Sequence, residues 1–427
     1  LASGYTAPRD LTDLTTLPFL YENMEPFTNR IIYYETSRGC PYRCSYCLSS
    51  IDKKVRLRDI SVVKRELQFF LDQNVKQVKF IDRTFNCDHK HAMEIWRYIY
   101  EHDNGVTNFH FEISADILRE EEIALLNRFR PGLAQLEIGV QSTNTDTIRE
   151  IRRTMRLEEV REHVARIKEK GNIHQHLDLI AGLPYEDIKS FRKSFDDVYS
   201  MRPDQLQLGF LKVLKGSYMQ EMQQEYELRY KDEQPYEVLS TKWLPYSDVI
   251  ELKGIEEMVE IYYNSGQFTH VVEALVENYA SAYQMYQDLW QYYEEHDYMG
   301  IQHRRSARYE IVLDFVKEKY PEQADVMREL LTYDYYLREN AKSRPEFAGE
   351  DATDKRFVRA FYEEEEKERK HLPGYEQFDR NQMRKMTHLE YFPHMGKMLL
   401  FDYKFRNPLN QEARTCMIKK DSLERRG

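Results

Sequence analysis

Between residue 31 and about residue 215, short apolar runs alternate with longer amphipathic ones. Ile31-Ile32-Tyr33-Tyr34 is followed by Ile60, Val63, Leu67, Phe70 and Leu71, which fall on one face of a helix. Val78-Lys79-Phe80-Ile81-Asp82 is followed by Ala92, Ile95, Trp96 and Ile99, again on one helical face. Further strands are predicted at 109–113, 136–140, 176–180 and 205–210. Strand-plus-helix units of ~30 to 40 residues predict parallel pairing with right-handed crossovers. Six such units in a row predict an α/β fold, a curved sheet closing part-way into a (β/α)6 barrel of TIM type. The carboxyl ends of such strands are where working residues sit.

After about Ser217 the pattern changes, with Tyr and Glu abundant and Gly rare. Long helical patterns are predicted at Val249–Tyr263, Val271–Tyr293, Ala307–Lys319 and Gln323–Leu337. The run Tyr362-Glu363-Glu364-Glu365-Glu366-Lys367 reads as a solvated helix face. Met398–Tyr403 and Arg414–Ile418, separated by Asn407-Pro408-Leu409-Asn410, read as a hairpin. The expected organisation is a linker over 1–30, the partial barrel over 31–217, and a mainly helical domain with a short β-hairpin over 218–427. The chain begins at Leu1 with no initiator Met, as a fragment or a processed form does.

Composition narrows the function classes. A chain of 427 residues supports a large core without disulfide staples. A net charge of −11 offers no basic stripe for phosphates and argues against nucleic acid as the default partner. No apolar run approaches the ~18 residues needed to span a bilayer. Five cysteines, three of them in one loop, fit a reducing cytoplasm.

That loop is Cys40-Pro41-Tyr42-Arg43-Cys44-Ser45-Tyr46-Cys47, placed just after the first predicted strand. Three cysteines are an odd number for disulfides, and Cys87 and Cys416 lie far away in sequence. A structural zinc site would want a second C-x2-C half, which the chain lacks. Three thiolates in one tight loop suit three corners of a cubane iron–sulfur cluster, with the fourth iron left open. The segment resembles the cluster loop of the radical S-adenosylmethionine (SAM) superfamily. The resemblance implies Cys40, Cys44 and Cys47 as ligands of a [4Fe-4S] cluster whose open iron is chelated by SAM. It also implies reductive cleavage to a 5′-deoxyadenosyl radical and an external electron donor such as flavodoxin or ferredoxin.

Further landmarks appear in the order that family has them. Tyr46 holds the aromatic position that packs beside adenine in relatives. Phe80-Ile81-Asp82-Arg83-Thr84-Phe85-Asn86 resembles the Phe-x-Asp-x-x-Phe version of a segment that binds the SAM amine, which makes Asp82 either an amine acceptor or a helix cap. Glu112 alternates with Phe111 and Ile113, so its carboxylate should face the barrel interior, where it needs a cation: the SAM ammonium or a protein partner. Gly139-Val140-Gln141-Ser142 resembles the Gly-x-Gln-Ser segment whose Gln holds the ribose, with Ser142 beside it. Among Arg149, Arg152 and Arg153, Arg153 aligns best with the arginine that grips the methionine carboxylate, Arg152 is the fallback, and Arg149 falls on the solvent face. Asp178-Leu179-Ile180-Ala181-Gly182-Leu183-Pro184-Tyr185-Glu186 resembles a signature with Gly at the position of Tyr185, and Gly182 would let backbone approach adenine. His174 and His176 read as ordinary barrel residues.

The region before Ile31 resembles the connector that joins a cobalamin domain to the barrel in one branch of the superfamily. The cobalt-ligand loop of that domain is not in this sequence, so cobalamin use would have to come through an upstream domain outside this chain. The substrate is open, with methyl transfer or related C–H activation the commonest outcomes in that branch. A reading from another class is a non-catalytic iron–sulfur protein whose helical tail docks partners, and a zinc adaptor is more distant still.

Overall fold

The computed structural model describes residues 11–419 apart from Ile51 and Lys53, so residues 1–10 of the expected linker lie outside the described residues. Two compact units divide the chain, residues 1–253 and residues 254–427.

The first unit is built on six parallel strands paired in sequence order. They are β1 (Ile32–Tyr34), β2 (Gln77–Phe80), β3 (Asn108–Ile113), β4 (Ala134–Gln141), β5 (His174–Ala181) and β6 (Gln205–Phe210). The first and last strands do not pair, which leaves the barrel open as the alternation predicted. The crossover helices include α1 (Ile60–Asp72), α2 (His89–Glu101), α3 (Glu120–Leu126), α4 (Thr145–Glu150), α5 (Leu157–Lys168) and α6 (Ile188–Tyr199). Their starts are set by side-chain caps: Asp59, Asp88, Asn144 and Asp187 accept backbone N–H groups at α1, α2, α4 and α6.

Because strand side chains alternate, one parity packs on the helices and the other lines the barrel interior. Val78, Phe80, Phe109, Phe111, Leu136, Ile138, Leu177 and Leu179 are buried against the helical layer together with Val63, Leu67, Phe70 and Trp96. The opposite parity is polar: Lys79, His110, Glu112, Glu137, Gln141, His176 and Asp178. The interior of this barrel is therefore an ionisable surface.

One buried ion pair ties β1 to α1. Arg58 donates two hydrogen bonds to Glu66, at 2.7 and 2.9 Å, and the Tyr34 hydroxyl donates a third at 2.6 Å. Arg58 and Glu66 are 7% and 3% exposed, so removing one leaves the other charged and dry. Glu66→Ala is expected to cost about 3–5 kcal/mol of stability, read as a lower midpoint in urea.

The second unit is helical, with a small sheet at its end. The helix expected over Val271–Tyr293 is two helices, Thr269–Val276 and Ala282–Glu295, because Ser281 caps a new start by accepting from the Gln284 N–H. The expected hairpin is present as Lys397–Arg406 with Ala413–Ile418, and a third antiparallel strand, Thr387–Phe392, joins it. That strand escapes a period-2 reading because Glu390 is buried in it, 2% exposed, paired with Arg344 and His388. The acidic run is not wholly a solvated face either. Glu365 is 1% exposed and accepts the backbone N–H groups of His371 and Leu372, closing the chain reversal after the helix Lys355–Glu368.

Candidate functional site

The cysteine loop leaves β1 through Gly39, whose φ of +96° and close approach to the Lys54 carbonyl leave no room for a side chain. The Cys40 N–H donates to the Asp52 carbonyl at 3.0 Å and the Cys47 N–H to the Cys44 carbonyl at 3.1 Å, so the loop folds on itself. The Ser45 N–H donates to the carbonyl of Ile151 at 2.9 Å, which joins the loop to the segment after α4.

Cys40, Cys44 and Cys47 line one cleft of about 750 Å³, its open mouth included, at the carboxyl ends of the strands. Tyr46, Glu112, Gln141 and Arg153 line the same cleft. Arg153 reaches the Tyr46 hydroxyl at 3.3 Å and the Cys44 Sγ at 3.9 Å, and donates to the Gly139 carbonyl. Burial pushes the Cys44 thiol up, and the Arg153 guanidinium works against that shift. The Gln141 amide folds back over Gly139, where a Cβ would displace it. Gln141 Oε1 and Arg153 Nε are buried with no hydrogen-bond partner among the described residues.

The carboxylates of the cleft are unequal. Glu137 lies 2.9 Å from both Lys79 Nζ and His110 Nε2, and these partners, His110 foremost, hold it down at about 2. Glu112, its register neighbour across β3 and β4, has no ion pair among the described residues. Burial first, and then the Glu137 charge, raise its pKa. Asp178 on β5 is raised well above the usual carboxylate range, chiefly by burial, and its Oδ1 lies 3.2 Å from His176 Nε2. Burial drives His176 down to about 4.

Three residues expected at the site stand elsewhere. Asp82, 1% exposed, accepts from the Thr36 N–H at 3.0 Å and its hydroxyl at 2.7 Å, so it pins β2 to the chain leaving β1; Arg83 and Thr84 line the cleft instead. Ser142 is fully buried and donates to Glu186 at 2.6 Å. Gly182, with φ of +86°, is packed where a Cβ would press on Val238, outside the cleft. Of the three arginines, Arg149 is 79% exposed and pairs with Asp146, while the Arg152 guanidinium sits 3.8 Å over the Tyr218 ring.

Residues 34–198 match the model of the radical SAM superfamily, a span that starts at the last residue of β1 and contains the cysteine loop and strands β2 to β5. These residues are a radical SAM domain. Residues 224–407 match a second family model, described as a protein of unknown function (DUF4080). The chain is similar to the oxygen-independent coproporphyrinogen-III oxidase-like protein HemZ of Bacillus subtilis, 29% identical over 28% of this chain and 23% of that one. It is similar also to the cobalamin-dependent radical SAM methyltransferase TokK of Streptomyces tokunonensis, 26% identical over 37% of this chain and 24% of that one. The chain thus spans about a quarter of the length of either relative. Among solved structures it is similar to the radical SAM methyltransferase TsrM of Kitasatospora setae with cobalamin and a [4Fe-4S] cluster bound, 18% identical, covering 48% of this chain and 40% of that one, with a TM-score of 0.42.

The radical SAM family uses a [4Fe-4S] cluster and SAM, and the residues present fit both. The donor set is soft sulfur, which suits iron–sulfur ligation. Among the described residues no three His, Cys, Asp or Glu side chains converge on a single-ion position, so the thiols line the cleft without forming a one-metal site. The buried, unpartnered Gln141 Oε1 and the ionisable lining provide the polar contacts that a charged, ribose-bearing ligand needs. Sequence reading missed Glu137, Asp178 and Arg83 as lining residues. The parity that singled out Glu112 would have found the first two, since Glu137, Gly139 and Gln141 alternate on one strand face. No helix among the described residues is long and apolar enough to cross a membrane.

Proposed function

We propose that this chain holds a [4Fe-4S] cluster on Cys40, Cys44 and Cys47, binds SAM in the same cleft and cleaves it reductively to act on a further substrate. When bound, the cluster supplies the electron that splits the SAM sulfonium into methionine and a 5′-deoxyadenosyl radical. The observation that carries this reading is the meeting of three thiols from one loop with Arg153, Gln141 and Glu112 from three other segments in one cleft.

Each side chain then has a task. The Arg153 fork grips the methionine carboxylate, a planar two-point contact to which guanidinium is suited. Glu112, which has no ion pair among the described residues, takes the ammonium, and that positive charge offsets the burial that raises its pKa. Gln141 accepts from a ribose hydroxyl through Oε1, and Tyr46 packs beside the adenine. Lys79 and His110 hold Glu137 ionised on the cleft wall, where it can accept from substrate. The substrate is unassigned; the methyltransferases among the relatives favour methyl transfer or related C–H activation, with the electron coming from a flavodoxin- or ferredoxin-like donor.

Anaerobically reconstituted protein, reduced with dithionite and given SAM, is expected to form 5′-deoxyadenosine and methionine in chromatographic assay. A protein that carries the cluster and forms neither product is the non-catalytic docking protein.

A further inference from the structure

Glu186 is 1% exposed and lies outside the cleft, yet it is tied to Ser142, the residue that follows the cleft-lining Gln141. We propose that Glu186, acting through Ser142 and Ser194, is a positioning residue that fixes the backbone presenting Gln141 and Arg153 to SAM. The inference rests on the reading of those two residues as SAM contacts.

Glu186 Oε1 accepts from the Ser142 hydroxyl at 2.6 Å and from the Ser194 hydroxyl at 2.9 Å, and both serines are fully buried. Each serine oxygen passes the constraint on. Ser142 Oγ accepts the Asn144 N–H at 3.0 Å, and Ser194 Oγ accepts the Thr143 N–H at 3.0 Å. The Asn144 amide donates to the Tyr185 carbonyl at 3.0 Å, and the Thr147 hydroxyl donates to the Pro184 carbonyl at 2.9 Å. The turn after β4 and the turn after β5 are thereby cross-tied.

Both turns contain a residue that needs such a tie. Gln141 has φ of +73° and Tyr185 φ of +61°, a left-handed conformation that side-chain-bearing residues rarely adopt and that persists where the surroundings over-determine it. From the knot, α4 runs to Ile151, whose carbonyl holds the Ser45 N–H between two of the cysteines; Arg153 follows two residues later. One buried carboxylate thus stands behind Gln141, Arg153 and the cysteine loop. Burial raises its pKa to about 7 and no cation pairs with it among the described residues, so the two hydroxyls are what its presence secures.

SAM affinity of the reconstituted protein, measured by calorimetry well below the unfolding midpoint, tests this alongside the cluster absorption. Ser194→Ala and Glu186→Ala are expected to weaken SAM binding about three- to tenfold with the cluster absorption retained. Glu186→Gln keeps an oxygen that accepts both hydroxyls and is expected to restore affinity near that of the native protein. Ser194→Ala, a small change, serves if Glu186→Ala fails to fold. A lowered midpoint with unchanged affinity in Ser194→Ala would overturn the proposal. Gln141→Ala and Arg153→Ala are measured in parallel. If they weaken binding and the Glu186 and Ser194 variants do not, the positioning role alone fails; if none does, the SAM-contact reading fails with it.

Discussion

Alanine at Cys40, Cys44 or Cys47 is expected to abolish the brown iron–sulfur absorption of anaerobically reconstituted protein. All three thiols face one cleft from one loop, so each loss removes a corner ligand that no neighbouring cysteine replaces. Cys87 and Cys416 are the controls. Cys87 is half-buried outside the cleft lining, with burial pushing its thiol up to about 11, and Cys416 belongs to the second compact unit. Cys87→Ala and Cys416→Ala should keep the full absorption. Retention of a complete cubane signal after removal of all three loop cysteines would contradict the ligand assignment.

Arg153→Ala is expected to weaken SAM binding by at least about tenfold and leave the cluster spectrum intact. A hydrogen bond to a charged group contributes ~1.5–3 kcal/mol, which corresponds to about one to two decades of affinity. The three arginines differ in where the backbone sends them. Only Arg153 enters the cleft; Arg149 is 79% exposed and Arg152 covers Tyr218. Arg149→Ala should therefore leave affinity unchanged, because an exposed pair with Asp146 contributes little even to stability. The reverse ranking in titration calorimetry would move the carboxylate grip by one helical turn.

The parallel sheet was legible because short apolar strands and amphipathic helices repeat along the chain, and apolar and polar positions alternate through most of β2, β3, β4 and β6. The strand limits moved by only one or two residues, with β4 reaching from 134 to 141. Glu112 could be placed in the cleft because strand parity gives direction as well as position, and the three cysteines because they share one loop; Tyr46, Gln141 and Arg153 were placed by likeness of segment, and they line the same cleft. Asp82, Ser142 and Gly182 were placed by likeness of segment too, which gives position without direction, and these three stand outside the cleft. At Ser142 the reason is specific: Gln141 adopts a left-handed conformation and the β4–β5 register shifts there, so strand alternation no longer tells which way the next side chain points. Asp82 is turned from the cleft by the Thr36 N–H and hydroxyl, a contact 46 residues apart in sequence that no local pattern signals. In the second unit the buried charges of Glu365 and Glu390 mask a chain reversal and a strand, since a carboxylate satisfied by backbone N–H groups or by a partnered Arg looks in sequence like one meant for water.

The most direct measurement is the electron paramagnetic resonance spectrum of the dithionite-reduced, reconstituted protein with and without SAM. A cleft whose three thiols would hold the cluster and whose Arg153, Gln141 and Glu112 would hold SAM predicts that SAM changes the cluster signal, and that Arg153→Ala raises the SAM concentration at which the change occurs. A cluster signal indifferent to SAM at millimolar concentration would contradict the claim that this cleft brings the two together.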